Sequence, residues 1–126
     1  MTAPLVPRGI RLGIETLRSL IFSSISGTYF AIVNVATQNP VRVMCFTNLT
    51  NSNLFVAISP TLPASDGTAD DLIVPANGFK LVDVTTNRYD NLSLELPAGN
   101  IFWARTATGS SNPTSGFIYA EVFYGY

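Results

Sequence analysis

The sequence has no histidine, a single cysteine and few charges. Without histidine, Ser-His-Asp and Cys-His nucleophilic catalysis are excluded, and so are most zinc sites. Cys45 has no second cysteine to pair with, so no disulfide forms within the chain. Its place in the strand-like run 41–46 predicts a buried free thiol. Lysine and arginine total 7 and are scattered, which leaves no clustered surface to neutralise phosphates, and direct nucleic-acid binding is not expected. No run of 18 apolar residues occurs, so no membrane span is predicted. The opening residues MTAPLVPRGIRLG lack the apolar core of a secretory leader. Walker A and dinucleotide-binding glycine patterns are also missing.

Apolar residues are plentiful. They make up 47% of the 126 residues, against 12% charged, roughly half the charged share usual for a soluble monomer. Such a chain must cover its surface with Ser, Thr, Asn, Gly and Pro, or with other proteins. The length suits one domain that needs no disulfide or metal to hold its core. Residues 1–42 carry Arg8, Arg11, Arg18 and Arg42 against Glu15, whereas the remainder carries Lys80, Arg88 and Arg105 against all the other carboxylates. A mildly basic leading segment thus precedes a mildly acidic body, a difference that head-to-tail neighbours can use, although such small numbers also arise by chance.

Pro4, Pro7 and Gly9 punctuate residues 1–12, and proline disfavours regular pairing. Leu5, Val6, Ile10 and Leu12 in the same segment are poorly suited to water, so it reads as an arm lying across the body or onto a neighbour. Residues 13–26 are ambiguous. Ile10, Ile14, Leu17 and Ile21 fall at helical spacing, but Leu20, Phe22 and Ile25 spread apolar surface around the cylinder, and Gly13 and Ser23-Ser24 weaken a helix. A short helix near 14–21 and an extended segment remain equal alternatives. From Thr28 the pattern is β. Strands are expected over 29–35, 41–46, 54–59, 72–74, 79–85, 92–96, 101–105 and 117–124, separated by turns such as NLTNSN, PANG and PAGN. In the last strand, Ile118, Ala120 and Val122 alternate with Phe117, Tyr119 and Phe123. One face serves the core, and the other meets a partner or the chain's own arm. The expected fold is all-β: a small β-sandwich, or barrel-like sandwich, of seven or eight short antiparallel strands with an extended N-terminal arm. Residues 1–27 form the arm with a possible short helix, and residues 28–126 form the sandwich domain.

Few residues invite chemistry. Asp66, Asp70 and Asp71 form the one acidic cluster, in a Gly- and Ala-containing loop. Acid–base pairs need opposed carboxylates on rigid elements, and the spacing does not follow the calcium loop of an EF-hand. A solvated loop with Asx-turns is the expectation there. Asn48-Leu49-Thr50 and Asn91-Leu92-Ser93 match the glycosylation tripeptide but are set aside for want of a leader. A carbohydrate-binding module is the rival function, with Trp103, Tyr29, Tyr89 and Tyr119 as stacking rings, although fold alone does not establish it. Trp103 and Phe79 are instead expected as core anchors. No catalytic, cofactor-binding or metal residues are assigned, and the chain is not expected to be an enzyme.

Residues 23–35, SSISGTYFAIVNV, lead to NPVRVMCFTNLTN at 39–51 and LFVAISP at 54–60. DDLIVPANGFKLVDVTTNR follows at 70–88, then IFWARTA at 101–107 and PTSGFIYAEVFYG at 113–125. This pattern resembles small virion structural proteins of tailed bacteriophages over roughly residues 23–125. The positions that carry over are architectural: Arg42 after the Asn39-Pro40 corner, Asn48 opening a turn, Gly78-Phe79 before Asp83, Asn87 closing that strand, and Ser115-Gly116 before the last strand. The family's Asp-Gly turn would follow Ile58-Ser59, whereas this sequence has Pro60 there and reaches Asp66-Gly67 later, a local insertion. The resemblance implies a virion component assembled in the host bacterial cytoplasm. It would form a homo-oligomer and contact other virion proteins, such as major capsid or neck proteins, without a membrane. Capsid decoration or cement is preferred over a head-to-tail neck ring, because a channel lining is usually rich in charge of one sign and this chain is not.

Overall fold

The computed structural model describes residues 12–67, 71–84 and 96–125. They form two antiparallel sheets packed face to face, the small all-β sandwich expected, with nine strands among the described residues. In chain order these are β1 (Leu12–Ile14), β2 (Arg18–Ile21), β3 (Phe30–Ala31), β4 (Val41–Asn48), β5 (Leu54–Ser59), β6 (Leu72–Val74), β7 (Gly78–Asp83), β8 (Ile101–Thr106) and β9 (Phe117–Gly125). The first sheet runs β1-β9-β4-β7, with β2 also on β9; the second runs β3-β8-β5-β6. The expected strand over 92–95 and most of the arm lie outside the described residues. Leu96 alone pairs with Val41 as an isolated bridge.

Period-two alternation makes the core. Phe46, Met44, Ile118, Ala120 and Val122 from the first sheet meet Leu54, Val56, Val74, Phe102 and Ala104 from the second, all essentially buried. Phe46 and Phe102 meet edge to face across the interface at 5.4 Å between ring centres and 72°. That geometry adds about 1 kcal/mol to the burial of the rings. One sandwich end is held by Asn48, which is fully buried. Its Nδ2 donates to the carbonyls of Ser52 (2.8 Å) and Val74 (3.0 Å), and its Oδ1 accepts from the Thr50 N–H (2.9 Å) and hydroxyl (2.6 Å). The tripeptide Asn48-Leu49-Thr50 is therefore structural. The PANG and PAGN turns place Asn77 (φ 55°) and Gly99 (φ 99°) in the left-handed region, as turn chemistry requires. Gly116, at φ 91°, admits no side chain, because a Cβ there would strike the Leu49 carbonyl.

Several expectations need correction. Residues 14–21 are not helical. They continue into β2, and Arg18–Ile21 pair with Phe117–Ala120. Ile14 lies opposite Phe123 and Arg18 opposite Ala120. The edge strand thus carries one residue more than β9, a bulge at 15–17. An inserted residue flips the parity of everything after it, which is how a strand came to show helix-like spacing. It also follows that residues 12–21 belong to the first sheet, so a boundary at 27/28 cuts through paired strands. A second irregularity, between Val41 and Val43, lets both Val41 and Met44 face inward. Val43 and Cys45 consequently face out, and Cys45 is half-buried rather than in the core. Of the strand expected over 29–35, only Phe30–Ala31 forms. The chain leaves the sheet after Ile32 through a tight turn, with the Val35 N–H on the Val33 carbonyl at 2.7 Å. Phe79 is no core anchor: it is 68% exposed.

Candidate functional site

The register fixes what the first sheet shows to the outside. Ile14, Phe123, Val43 and Asp83 form one row across the strands; Glu121, Cys45 and Leu81 form the next. Ser19, Tyr119, Thr47 and Phe79 form a third, and Ile21 with Phe117 a fourth. Directly opposed residues share a face, so these rows make one surface, mostly apolar. Ile14 is 67% exposed, Leu81 58% and Phe79 68%, and Ile21 and Phe117 are also open. Phe117 and Tyr119 stack at 5.9 Å, sealing part of the surface. Strands spaced about 4.8 Å and rows about 6.8 Å apart give roughly 300 Å² of continuous face. A patch of that size is comparable to the largest apolar patch of an ordinary monomer, which is often where such a protein makes its functional contacts.

The bulge between β1 and β2 shapes one side of this face. Glu15 turns away from the sheet and is largely shielded. Its carboxylate accepts from Arg18 Nη2 (3.0 Å), the Gln38 and Asn39 backbone N–H groups (3.1 Å each) and Asn39 Nδ2 (3.2 Å). Burial alone would raise its pKa, but the Arg18 guanidinium and these N–H donors outweigh burial and hold the carboxyl below its ordinary value of 4.5. Arg18 itself is buried and lies over the Phe102 ring at 5.4 Å. Glu15 thus pins the bulge to the Asn39-Pro40 corner. With the backbone held there, Ile14 and Leu17 stand outward and border a groove of about 370 Å³ with Thr47, Tyr119 and Glu121. Glu121 has no ion-pair partner among the described residues.

Much of the second sheet's outer face is covered, although Ile73, opposite Phe55, is 45% exposed. Trp103 is buried with Tyr29 and Ala57, and its Nε1 donates to the Ser59 carbonyl at 2.9 Å. The Tyr29 N–H donates to Ser65 Oγ at 2.9 Å, which ties the 60–67 loop over the sheet. Buried Arg105 stands 5.1 Å from the Tyr29 ring centre and 4.8 Å from that of Phe55, and bonds Asp71 at 3.2 Å. Asp66-Gly67, with Gly67 at φ 88°, lies in this covering loop.

Two of the rings named for sugar stacking are thereby covered, and Tyr119 stays beside the open groove. Trp103 and Tyr29 are buried under the loop, Tyr119 is stacked on Phe117, and Tyr89 lies outside the described residues. Of the acidic cluster, Asp71 serves Arg105, Asp70 lies outside the described residues, and no group of three or more candidate metal ligands occurs among those described. No helix is long and apolar enough to cross a membrane. Sequence reasoning found Tyr119 and Phe123 as outward residues, but missed Phe79, Leu81 and the groove. Alternation of Phe79 and Leu81 with Lys80 and Val82 was visible; which side faced out was not. Compared with known protein families, curated proteins and solved structures, the chain matches none.

Proposed function

We propose that this chain is a structural subunit of a tailed-phage virion, a capsid decoration or cement protein, that binds neighbouring virion proteins through the outer face of its first sheet. The carrying observation is that face: Ile14, Phe79, Leu81 and Phe117 stand open in a chain with 12% charged residues. Burial of such a surface is favourable by about 25 cal/mol per Å², and a lattice of repeated subunits provides it. The phage assignment rests on the sequence pattern over residues 23–125. A neck-ring role is the alternative; low charge across the sheet disfavours a channel lining. The subunit acts by packing, with no reaction assigned to it. The test is localisation: tag the chain, purify assembled particles and image them. Density on the capsid surface supports decoration, and a ring at the portal supports the neck. A chain that stays a compact monomer at high concentration and never enters particles overturns the proposal.

A further inference from the structure

The groove beside the β1–β2 bulge is apolar along Ile14, Leu17 and Tyr119, with Thr47, Glu121 and Glu15, the last already paired with Arg18, completing its lining. An acidic group among apolar neighbours, without a cation among the described residues, calls for an occupant both apolar and basic. Residues 1–11, MTAPLVPRGIR, have that composition: Leu5, Val6 and Ile10 beside Arg8 and Arg11, with Pro4 and Pro7 favouring an extended backbone. We propose that residues 1–11 of one copy occupy this groove on a second copy, with Arg8 or Arg11 meeting Glu121. The inference rests on the assembly reading above and names the partner of that face.

Three observations support exchange between copies. First, Leu12, which follows the segment, pairs with Gly125, and Glu121 and Tyr119 of the groove lie four and six residues back along β9. At about 3.3 Å per residue, the segment reaches up to roughly 35 Å, enough for an adjacent subunit. Second, the charges are complementary: the leading segment is basic and the groove acidic. Third, roughly 300 Å² of face falls short of the about 800 Å² per partner of a standard interface. An extended segment seated on that face adds its own surface to the contact, although Ile14, Thr47, Tyr119 and Glu121 of the groove belong to the face already counted.

The test uses two singly substituted full-length chains, Ile10→Cys and Leu17→Cys, each also Cys45→Ser. They are mixed and treated with a short bis-maleimide, and the products are mapped by peptide mass spectrometry. An Ile10–Leu17 link between the two chains is the expected result. In parallel, Glu121→Lys should weaken self-association roughly tenfold by sedimentation, and combining it with Arg8→Glu and Arg11→Glu should restore it. Two results overturn the inference: no link between chains, or unchanged self-association on deleting residues 2–11. Particle incorporation of the unsubstituted chain is scored separately. If it enters particles while the cross-link fails, the arm inference falls and the assembly reading stands; if it never enters particles, the assembly reading falls.

Discussion

On the outer face of the second sheet, Trp103, Tyr29 and Arg105 lie beneath a loop of the same chain; on the outer face of the first, Phe79, Leu81 and Ile14 meet solvent. Both faces are built from strands with apolar residues on each side. They differ in what covers them. The 60–67 loop supplies Ser65 to Tyr29, and Asp71 beyond it reaches Arg105, so the second sheet gains a satellite core tied by these bonds, in which Tyr29 Oη, Asp71 Oδ1 and Arg105 Nε have no hydrogen-bond partner among the described residues. The first sheet receives no such loop among the described residues. A face that the chain covers contributes to stability, and a face that it leaves open contributes to association.

That division can be broken by substitution. Arg105→Ala should show the largest effect, a loss of about 3–5 kcal/mol in chemical unfolding, because it empties a buried site between Tyr29 and Phe55 and leaves the half-buried Asp71 without its partner. Arg105→Met, which keeps the apolar packing between Tyr29 and Phe55 but not the charge, should cost less. Trp103→Ala follows at about 3 kcal/mol, from an emptied site beneath the loop. If either behaves like a surface change, the second sheet's outer face is not a core.

Glu15 sharpens the comparison from the other side, because it shapes the open face. Its pKa is lowered in the folded chain. Its contribution to stability is therefore present above its unfolded value of about 4.5 and is lost as pH falls through the lower folded value. Unfolding followed from pH 7 downward should show the wild type losing an increment below about 4.5 that Glu15→Gln lacks. A parallel pH dependence in both proteins would remove the bulge anchor from the account.

The smallest effects on stability belong to the open face. Phe79→Ser with Leu81→Ser should change unfolding stability by only about 0.5 kcal/mol per site, while lowering self-association and raising solubility. A loss of several kcal/mol would place these side chains in a core after all. Cys45, half-buried in the middle of the same face, reports on coverage directly: a thiol reagent should label it in the free subunit and label it more slowly in the assembled particle.

The strands over 54–59 and 72–74 and the last strand were legible because each is a short run rich in apolar and β-branched residues between turns built from Asn, Gly and Pro. The segment 14–21 was not, because a one-residue bulge imitates another period. Trp103 was correctly expected to be buried, but beneath a loop rather than between the sheets. For Phe79 the alternation was plain and the direction was not: residues 79–82 carry apolar side chains on both parities, and only pairing with β4 assigns them.

The amino-acid sequence alone determined the class of the protein: β, poor in charge, without histidine and with more apolar surface than one core can hold. Those properties follow from residue types and their local spacing. Tertiary structure decided which apolar face is hidden and which is left open. That outcome depends on strand register, two bulges and the docking of the 60–67 loop and Asp71, contacts between residues far apart in the chain that local spacing does not encode.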